Sequence, residues 1–418
     1  MTEQQPSAPR GAPIGLARAS APLPFAEFVA LIASLMSLTA LGIDAMLPAL
    51  PAIGHELGAP TENAQQFVIT AFVAGFGIAQ LFHGPLADRF GRRRLLIVAL
   101  LTYAAANVLA ASTHSFMLLL VARAIGGAAI AGGRVATVAI VRDCYEGRAM
   151  ARVMSITFMV FMIVPVIAPA LGQGMLAIYD SWRLIFWTIA GISLGVLIWF
   201  AWRMPETLRP EDRLPLIPAR IARSYAQVLT DRWSLGYTLA AGCLVGALYG
   251  YLNSVQQIMA DVFGRPELLT LIFAGAAGLM AAASLTNAKL VMRLGTRRLS
   301  HGAVVGMLVL GIGHWLLARS GSETLVTFGV LQALTMSCFG LASTNFSSMA
   351  MANMGGIAGT ASSVQGFGSV TLGAVIGAVI GQAFDGTTAP LAAGYAVTAA
   401  LALGIVFWTE RGRLFRPA

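Results

Sequence analysis

The chain has 418 residues, 57% of them hydrophobic and only 11% charged, where a soluble domain carries roughly a quarter charged residues. This balance excludes a soluble globular fold and points to an all-α integral membrane protein. The net charge of +9 lies in short turns between apolar runs, so nucleic acid is not an expected partner. Three cysteines and five histidines fit no disulfide or metal-ligand spacing, and neither a metal nor a cofactor is expected.

Residues 1–24 are rich in proline and alanine and lack the apolar core and cleavage site of a secretory signal, which predicts a disordered cytoplasmic tail. Runs of about twenty apolar residues, enough to cross roughly 30 Å of hydrocarbon, then predict helices over 25–53, 65–86, 95–112, 115–140, 153–178 and 184–203. Six more follow over 234–260, 268–288, 299–318, 324–349, 357–384 and 390–409. Lipid offers the backbone no hydrogen-bond partners, so these runs must be helical. The hydrophilic segment 204–232, with "PETLRPEDRLP", reads as a cytoplasmic linker between a six-helix half at 25–203 and another at 233–410, and 411–418 reads as a cytoplasmic tail. The single lysine, Lys289, follows "SLTNA" rather than a glycine-rich phosphate loop, which argues against ATP-driven transport by this chain.

Basic residues collect in short cytoplasmic loops. With both termini inside, 22 of the 27 arginine and lysine residues fall on the cytoplasmic side, three outside (Arg183, Arg265, Arg319) and two within helices. The opposite orientation inverts that asymmetry.

Between the second and third spans the chain reads "GPLADRFGRRRLLI" (84–97), and between the eighth and ninth "NAKLVMRLGTRRLS" (287–300). A shift of 204 lays Arg293 on Arg89, Gly295 on Gly91, Arg297 on Arg93 and Arg298 on Arg94, with Met292 in place of Asp88. Parallel repeats of six spans are one plan for secondary transporters. "GPLADRFGRRR" resembles the cytoplasmic signature of the major facilitator superfamily. With "DAMLPALP" in the first span, "VARAIGG" and "VRDCYEG" in the fourth, "PVIAPALGQ" in the fifth and "GTASS" in the eleventh, the chain is similar to the Bcr/CflA drug:proton antiporters. The resemblance implies twelve transmembrane helices in two pseudo-symmetric halves. The fifth span departs from the antiporter signature at Gln173, where a second glycine is usual, and at Ala168 before Pro169.

Gly84 lets a neighbouring helix approach closely and Asp88 suits a helix N-terminus; the resemblance implies that this helix is the eleventh. Arg92 can pair with Asp143, and Gly84, Asp88, Arg89, Gly91, Arg92 and Asp143 together read as a latch formed only while the cytoplasmic side is closed. Simple anchoring explains Arg93 and Arg94. In the fifth span Pro165 and Pro169 bend the helix and Gly172 permits tight contact, so this segment reads as a gate.

A charge inside a bilayer costs on the order of 3 kcal/mol or more and is functional by default. At 1.5 Å per residue, Asp44 lies roughly 13 Å and Arg123 roughly 12 Å below the outer surface. The shared depth makes an interaction possible, in which Asp44 carries a proton or forms a static ion pair; Arg123 serves substrate and proton coupling or structure. Arg134, eleven residues after Arg123, points to nearly the same face and either meets anionic substrates or snorkels. Tyr249, Asn253, Gln256 and Gln257 in the seventh span, Asn345 in the tenth and Gln365 in the eleventh are expensive in lipid and are expected to face the cavity, with Phe158, Met159, Met162 and Trp315 as an adaptable apolar wall.

These observations predict a monomeric, multi-pass protein of a bacterial inner membrane that exchanges protons for drugs or other small amphipathic compounds by alternating access. A proton-coupled importer or facilitator of a polar metabolite is the alternative. A transporter-like sensor or an intramembrane enzyme is more distant, because neither a sensory soluble domain nor paired catalytic carboxylates are found.

Overall fold

A computed structural model describes residues 22–145, 147–213, 215–354 and 357–415. Most of the expected N-terminal tail and the end of the C-terminal one lie outside the described residues, as do the side chains of Phe158 and Met162. The apolar runs fold as α1 (Phe25–Asp44), α2 (Leu50–Glu56), α3 (Phe67–Phe90), α4 (Arg92–Ser112), α5 (Phe116–Cys144), α6 (Gly147–Tyr179) and α7 (Arg183–Arg203), then α9 (Arg232–Gln257), α10 (Leu269–Leu294), α11 (Thr296–Ser320), α12 (Leu325–Met351), α13 (Ala358–Gln382) and α14 (Ala389–Thr409). α8 (Pro218–Thr230) joins the two sets. With α1 and α2 counted as one span, twelve helices among the described residues are long and apolar enough to cross a membrane.

The 204-residue offset holds throughout. Added to α3 it gives 271–294 beside the observed Leu269–Leu294, and added to α7 it gives 387–407 beside Ala389–Thr409. It also reproduces backbone conformation: Gly91 before α4 has φ 93° and ψ 153°, and Gly295 before α11 has φ 80° and ψ 156°. A positive φ of this kind suits glycine, so both basic turns use the same device to reverse the chain. The end of the bundle that holds them is the basic face; the other is the opposite face.

Lipid provides little hydrophobic drive between helices, so close packing depends on small residues. Gly242, Gly246 and Gly250 on α9 are four apart and face Leu372, Ile376 and Ile380 of α13, while Gly373 and Gly377 of α13 receive Val245 and Tyr249 of α9. α13 also lies along α3 of the first half, with Gly77 against Thr371, Gly366 against Gln80 and Gly84 against Ser363. Inside the first half, a Cβ at Gly127 of α5 overlaps the Phe72 carbonyl of α3.

The linker is more ordered than a polar connection requires. α8 lies beneath α13 at the basic face, where Val228 is buried with Met354, Ala361 and Val364. Tyr225 donates its hydroxyl to the Leu81 carbonyl at 2.5 Å, and burial there holds its phenol above the ordinary range.

Because backbone cannot retreat as a flexible side chain can, Gly127→Ala is expected to cost about 1–3 kcal/mol, read as a lower melting temperature in detergent. Gly191→Ala, where a Cβ meets nothing within 4 Å, is the control and is expected to melt as the native protein does.

Candidate functional site

The first span carries Pro48 and Pro51, and each removes the N–H that would bond four residues back. α1 stops at Asp44, the Ala45 N–H closing its last turn on the Leu41 carbonyl at 3.2 Å, and a 3-10 turn over Leu47–Ala49 leads into α2. The Asp44 side chain borders a cavity of about 340 Å³ between the halves. It is 4% exposed and forms no hydrogen bond or ion pair with the described residues. From the second half, α9 contributes Tyr249 and Tyr251, and Phe273, Met280 and Phe339 form an apolar wall with Phe76 of the first half. Tyr251 stacks on Phe273 with centroids 5.7 Å apart, and its hydroxyl is buried without a hydrogen-bond partner among the described residues.

Arg123 reaches the depth of the helix break, yet the structure does not pair it with Asp44. It is 2% exposed, donating from Nη2 to the Gly42 carbonyl at 2.7 Å and from Nε to the Val68 carbonyl at 3.2 Å. Its guanidinium lies 4.3 Å from the Phe72 ring centroid. The broken helix accounts for the Gly42 contact. The last carbonyls of a helix lack intrahelical donors, and a guanidinium offers five N–H groups in a fixed fork.

Arg134 keeps the same face of α5 but borders the cavity, where it is exposed. It makes no hydrogen bond or ion pair with the described residues; Tyr249 lies within electrostatic reach of both Arg134 and Asp44. Arg134 also borders a second cavity of about 330 Å³ at the basic face, with Gln80, Asp88, Arg142, Ser363 and Gln365. The two cavities therefore meet at its side chain.

The other polar candidates separate. Asn253, Gln256 and Gln257 lie toward the opposite face rather than around the central cavity. There the side-chain amides of Gln66 and Gln257 bond to each other, Gln257 Nε2 donates to Asn63 Oδ1 at 3.0 Å, and Gln382 Nε2 donates to the Asn63 carbonyl at 2.7 Å. Asn253 Nδ2 reaches Thr70 Oγ1 at 3.4 Å. These bonds join the halves in a seam of neutral amides. Asn345 is elsewhere, exchanging amide bonds with Asn287 inside the second half at 2.8 and 3.3 Å. Met159 and Trp315 are exposed and line neither cavity.

On α6, Pro165 borders the central cavity and Pro169 is buried, while the helix continues through both. Gly172 rests on the Ala45 carbonyl and on Pro48, at the break in the first span. Gln173, the residue that departs from the antiporter signature, accepts from Thr270 Oγ1 at 2.6 Å and donates to the Glu267 carbonyl at 3.3 Å. It thus adds a further bond between the halves at the opposite face.

At the basic face Arg92 is buried, 3.2 Å from Asp88 Oδ1 and 3.1 Å from Asp143 Oδ2. Asp88 borders the same cavity as Gly359 and Ser362 in the first turns of α13, and Arg89 is exposed. The expected latch was to form only with the cytoplasmic side closed. The Arg92 pairs are present, and all three residues belong to the first half.

With this geometry in place, the family follows from a match between residues 32–378 and the model described as Major Facilitator Superfamily. The chain belongs to the major facilitator superfamily. Among curated superfamily members it is 28% identical over 384 residues to the MFS-type transporter YdgK of Bacillus subtilis, covering 89% of this chain and 92% of that one. It is 27% identical to a bicyclomycin resistance protein homolog of Haemophilus influenzae, covering 87% and 91%, and 29% identical to the multidrug resistance protein MdtL of Klebsiella pneumoniae, covering 79% and 82%. Among solved structures, the xylose transporter XylE from E. coli, in a partially occluded inward-open conformation, superimposes with TM-score 0.70 at 12% identity, covering 94% and 99%. The human organic anion transporter MFSD10 gives 0.64 at 20%, covering 93% and 100%. These two likenesses show the fold, that of a transporter family.

One residue of this superfamily member escaped the sequence reading, and another does more than was read. Glu206, read only as linker, accepts the Arg92 N–H at 2.9 Å, the Arg93 N–H at 3.2 Å and the Thr207 and Leu208 N–H groups at 3.1 Å each. It caps the N-terminus of α4, where a carboxylate is favoured. Arg93 in turn donates to the Met204 and Ala201 carbonyls at the end of α7, at 2.9 and 2.6 Å, which anchoring alone does not require. The repeat held the signal: the same offset carries Glu206 onto Glu410, which lies 3.0 Å from Arg297 Nε in the second basic turn. Glu206→Ala is expected to cost about 1–2 kcal/mol, the scale of a lost cap, in thermal unfolding in detergent. Exposed Glu211→Ala is expected to cost nothing measurable.

Proposed function

We propose that this chain is a proton-coupled exporter of small amphipathic compounds in a bacterial inner membrane, working as a monomer with its basic face and both termini in the cytoplasm. One observation carries the reading: Asp44 is a buried carboxylate that borders the cavity between the halves and has no ionic partner among the described residues. A carboxylate so placed exchanges its proton with whichever side reaches the cavity, and a substrate sharing that cavity competes with the proton. The likeness to drug-resistance transporters over most of the chain supports export. The amide seam at the opposite face, with cavities meeting at Arg134 on the basic side, fits a conformation that loads from the cytoplasm. Rocking of the halves then breaks the seam and opens the cavity outward.

In liposomes with an imposed pH gradient, addition of substrate to the native protein is expected to drive proton flux, and Asp44→Asn is expected to abolish it while binding persists. Concentrative transport that survives in Asp44→Asn removes Asp44 as the carrier and favours a facilitator.

Gln66→Ala combined with Gln257→Ala is expected to favour the outward-open state. In a variant with Cys144, Cys243 and Cys338 replaced by serine, a Tyr249→Cys probe is then labelled several-fold faster by an impermeant maleimide added outside cells. Unchanged labelling means that the amides do not hold the gate.

A further inference from the structure

We infer that the substrate of the central cavity is a zwitterionic amphipath, with a cationic group that meets Asp44, an anionic group that meets Arg134 and an aromatic or apolar body between them. The inference rests on the reading of this cavity as the transport site.

Two ionisable side chains, one acidic and one basic, border one cavity inside the membrane, and neither forms a hydrogen bond or ion pair with the described residues. Asp44 is buried and Arg134 is exposed to the cavity; an unanswered charge inside a membrane is costly, so both side chains are available to a partner the protein does not supply. Tyr249 lies within electrostatic reach of both. The wall that joins the two charges is aromatic and apolar, with Phe76, Phe273 and Phe339. Both a purely cationic and a purely anionic amphipath leave one charge unanswered; a molecule with both satisfies the cavity.

The path from the basic face matches the anionic end. The second cavity carries Arg142 as well as Arg134 and lies at the N-terminus of the 25-residue helix α13. The hydroxyl of Ser363, a residue 2% exposed, is buried beside it without a hydrogen-bond partner among the described residues. Asp88 is the acidic member of that lining and is engaged by Arg92. An anionic group entering here meets positive charge and a free hydroxyl before it reaches Arg134.

Spacing restricts the class further. Arg123 bonds to Gly42, two residues before Asp44, so the eleven residues from Arg123 to Arg134 separate the two charges by at most roughly 16 Å of helix axis. The site therefore accommodates charges held apart by up to that distance. The arrangement also fits exchange: the substrate's cation displaces the proton at Asp44, while its anion adds affinity at a site the proton does not use.

The test measures equilibrium binding to the purified full chain in nanodiscs, with no pH gradient. The probes are a biphenyl with an aminomethyl group at one para end and a carboxylate at the other, its methyl ester (cation only) and its N-acetyl derivative (anion only). The zwitterion is expected to bind at least about tenfold tighter than either derivative. Arg134→Gln is expected to bring the zwitterion down to the affinity of the ester while leaving the ester unchanged. Asp44→Asn is expected to bring it down to the N-acetyl compound. Arg134→Lys, which keeps the charge, retains most of the affinity and separates loss of charge from loss of fold. Equal binding of zwitterion and ester by the native protein, equal weakening of both by Arg134→Gln, or no binding of the zwitterion to folded protein overturns the inference. Failure of proton coupling in liposomes with this binding pattern intact overturns the antiport reading instead and leaves the substrate class standing.

Discussion

A helix that ends inside a membrane leaves carbonyl groups with no water to satisfy them, and the organisation of the first half follows from how that need is met. Pro48 and Pro51 end α1 at Asp44. The Arg123 guanidinium then binds the Gly42 and Val68 carbonyls and so joins α5 to both α1 and α3. Phe72 covers its face, and Gly172 brings α6 onto the break. The same interruption sets a carboxylate at the edge of the cavity. A stable kink and a reactive group are thus two results of one pair of prolines.

The halves share their backbone plan but divide the chemistry. Gly91 and Gly295 take the same unusual conformation, and Glu206 and Glu410 both engage the basic turn of their half. At the same offset, the positions equivalent to Asp44 and Arg134 are Leu248 and Cys338. The first half therefore supplies both cavity charges, whereas the second contributes Tyr249, Tyr251 and apolar surface. This separation leaves α9 and α13 free to pack through their glycines without having to accommodate a buried ion.

The spans and the repeat were legible because lipid imposes a length and a composition that few other constraints mimic. Asp44, Arg123 and Arg134 stood out for the same reason, since a charge in an apolar run has no cheap explanation. Their partners were not legible. Helix rise gives depth, and depth brought Arg123 to the level of Asp44, but every residue carries a carbonyl and none is distinguishable in a sequence as the one a guanidinium will choose. The amides of α9 were readable as costly in lipid, yet cost alone does not separate a cavity wall from a seam between halves. α8 was obscured because its apolar side is short and lies within a polar segment next to prolines. Glu206 became meaningful only once the fold brought α4 and the end of α7 together.

The seam at the opposite face has an electrical consequence. Moving one elementary charge through a membrane potential changes its energy by about 2.3 kcal/mol per 100 mV. Asn63, Gln66, Gln257 and Gln382, which hold the halves together there, carry no net charge. Breaking their bonds moves dipoles over short distances and transfers no ion. Breaking that seam is therefore, by itself, nearly silent to voltage.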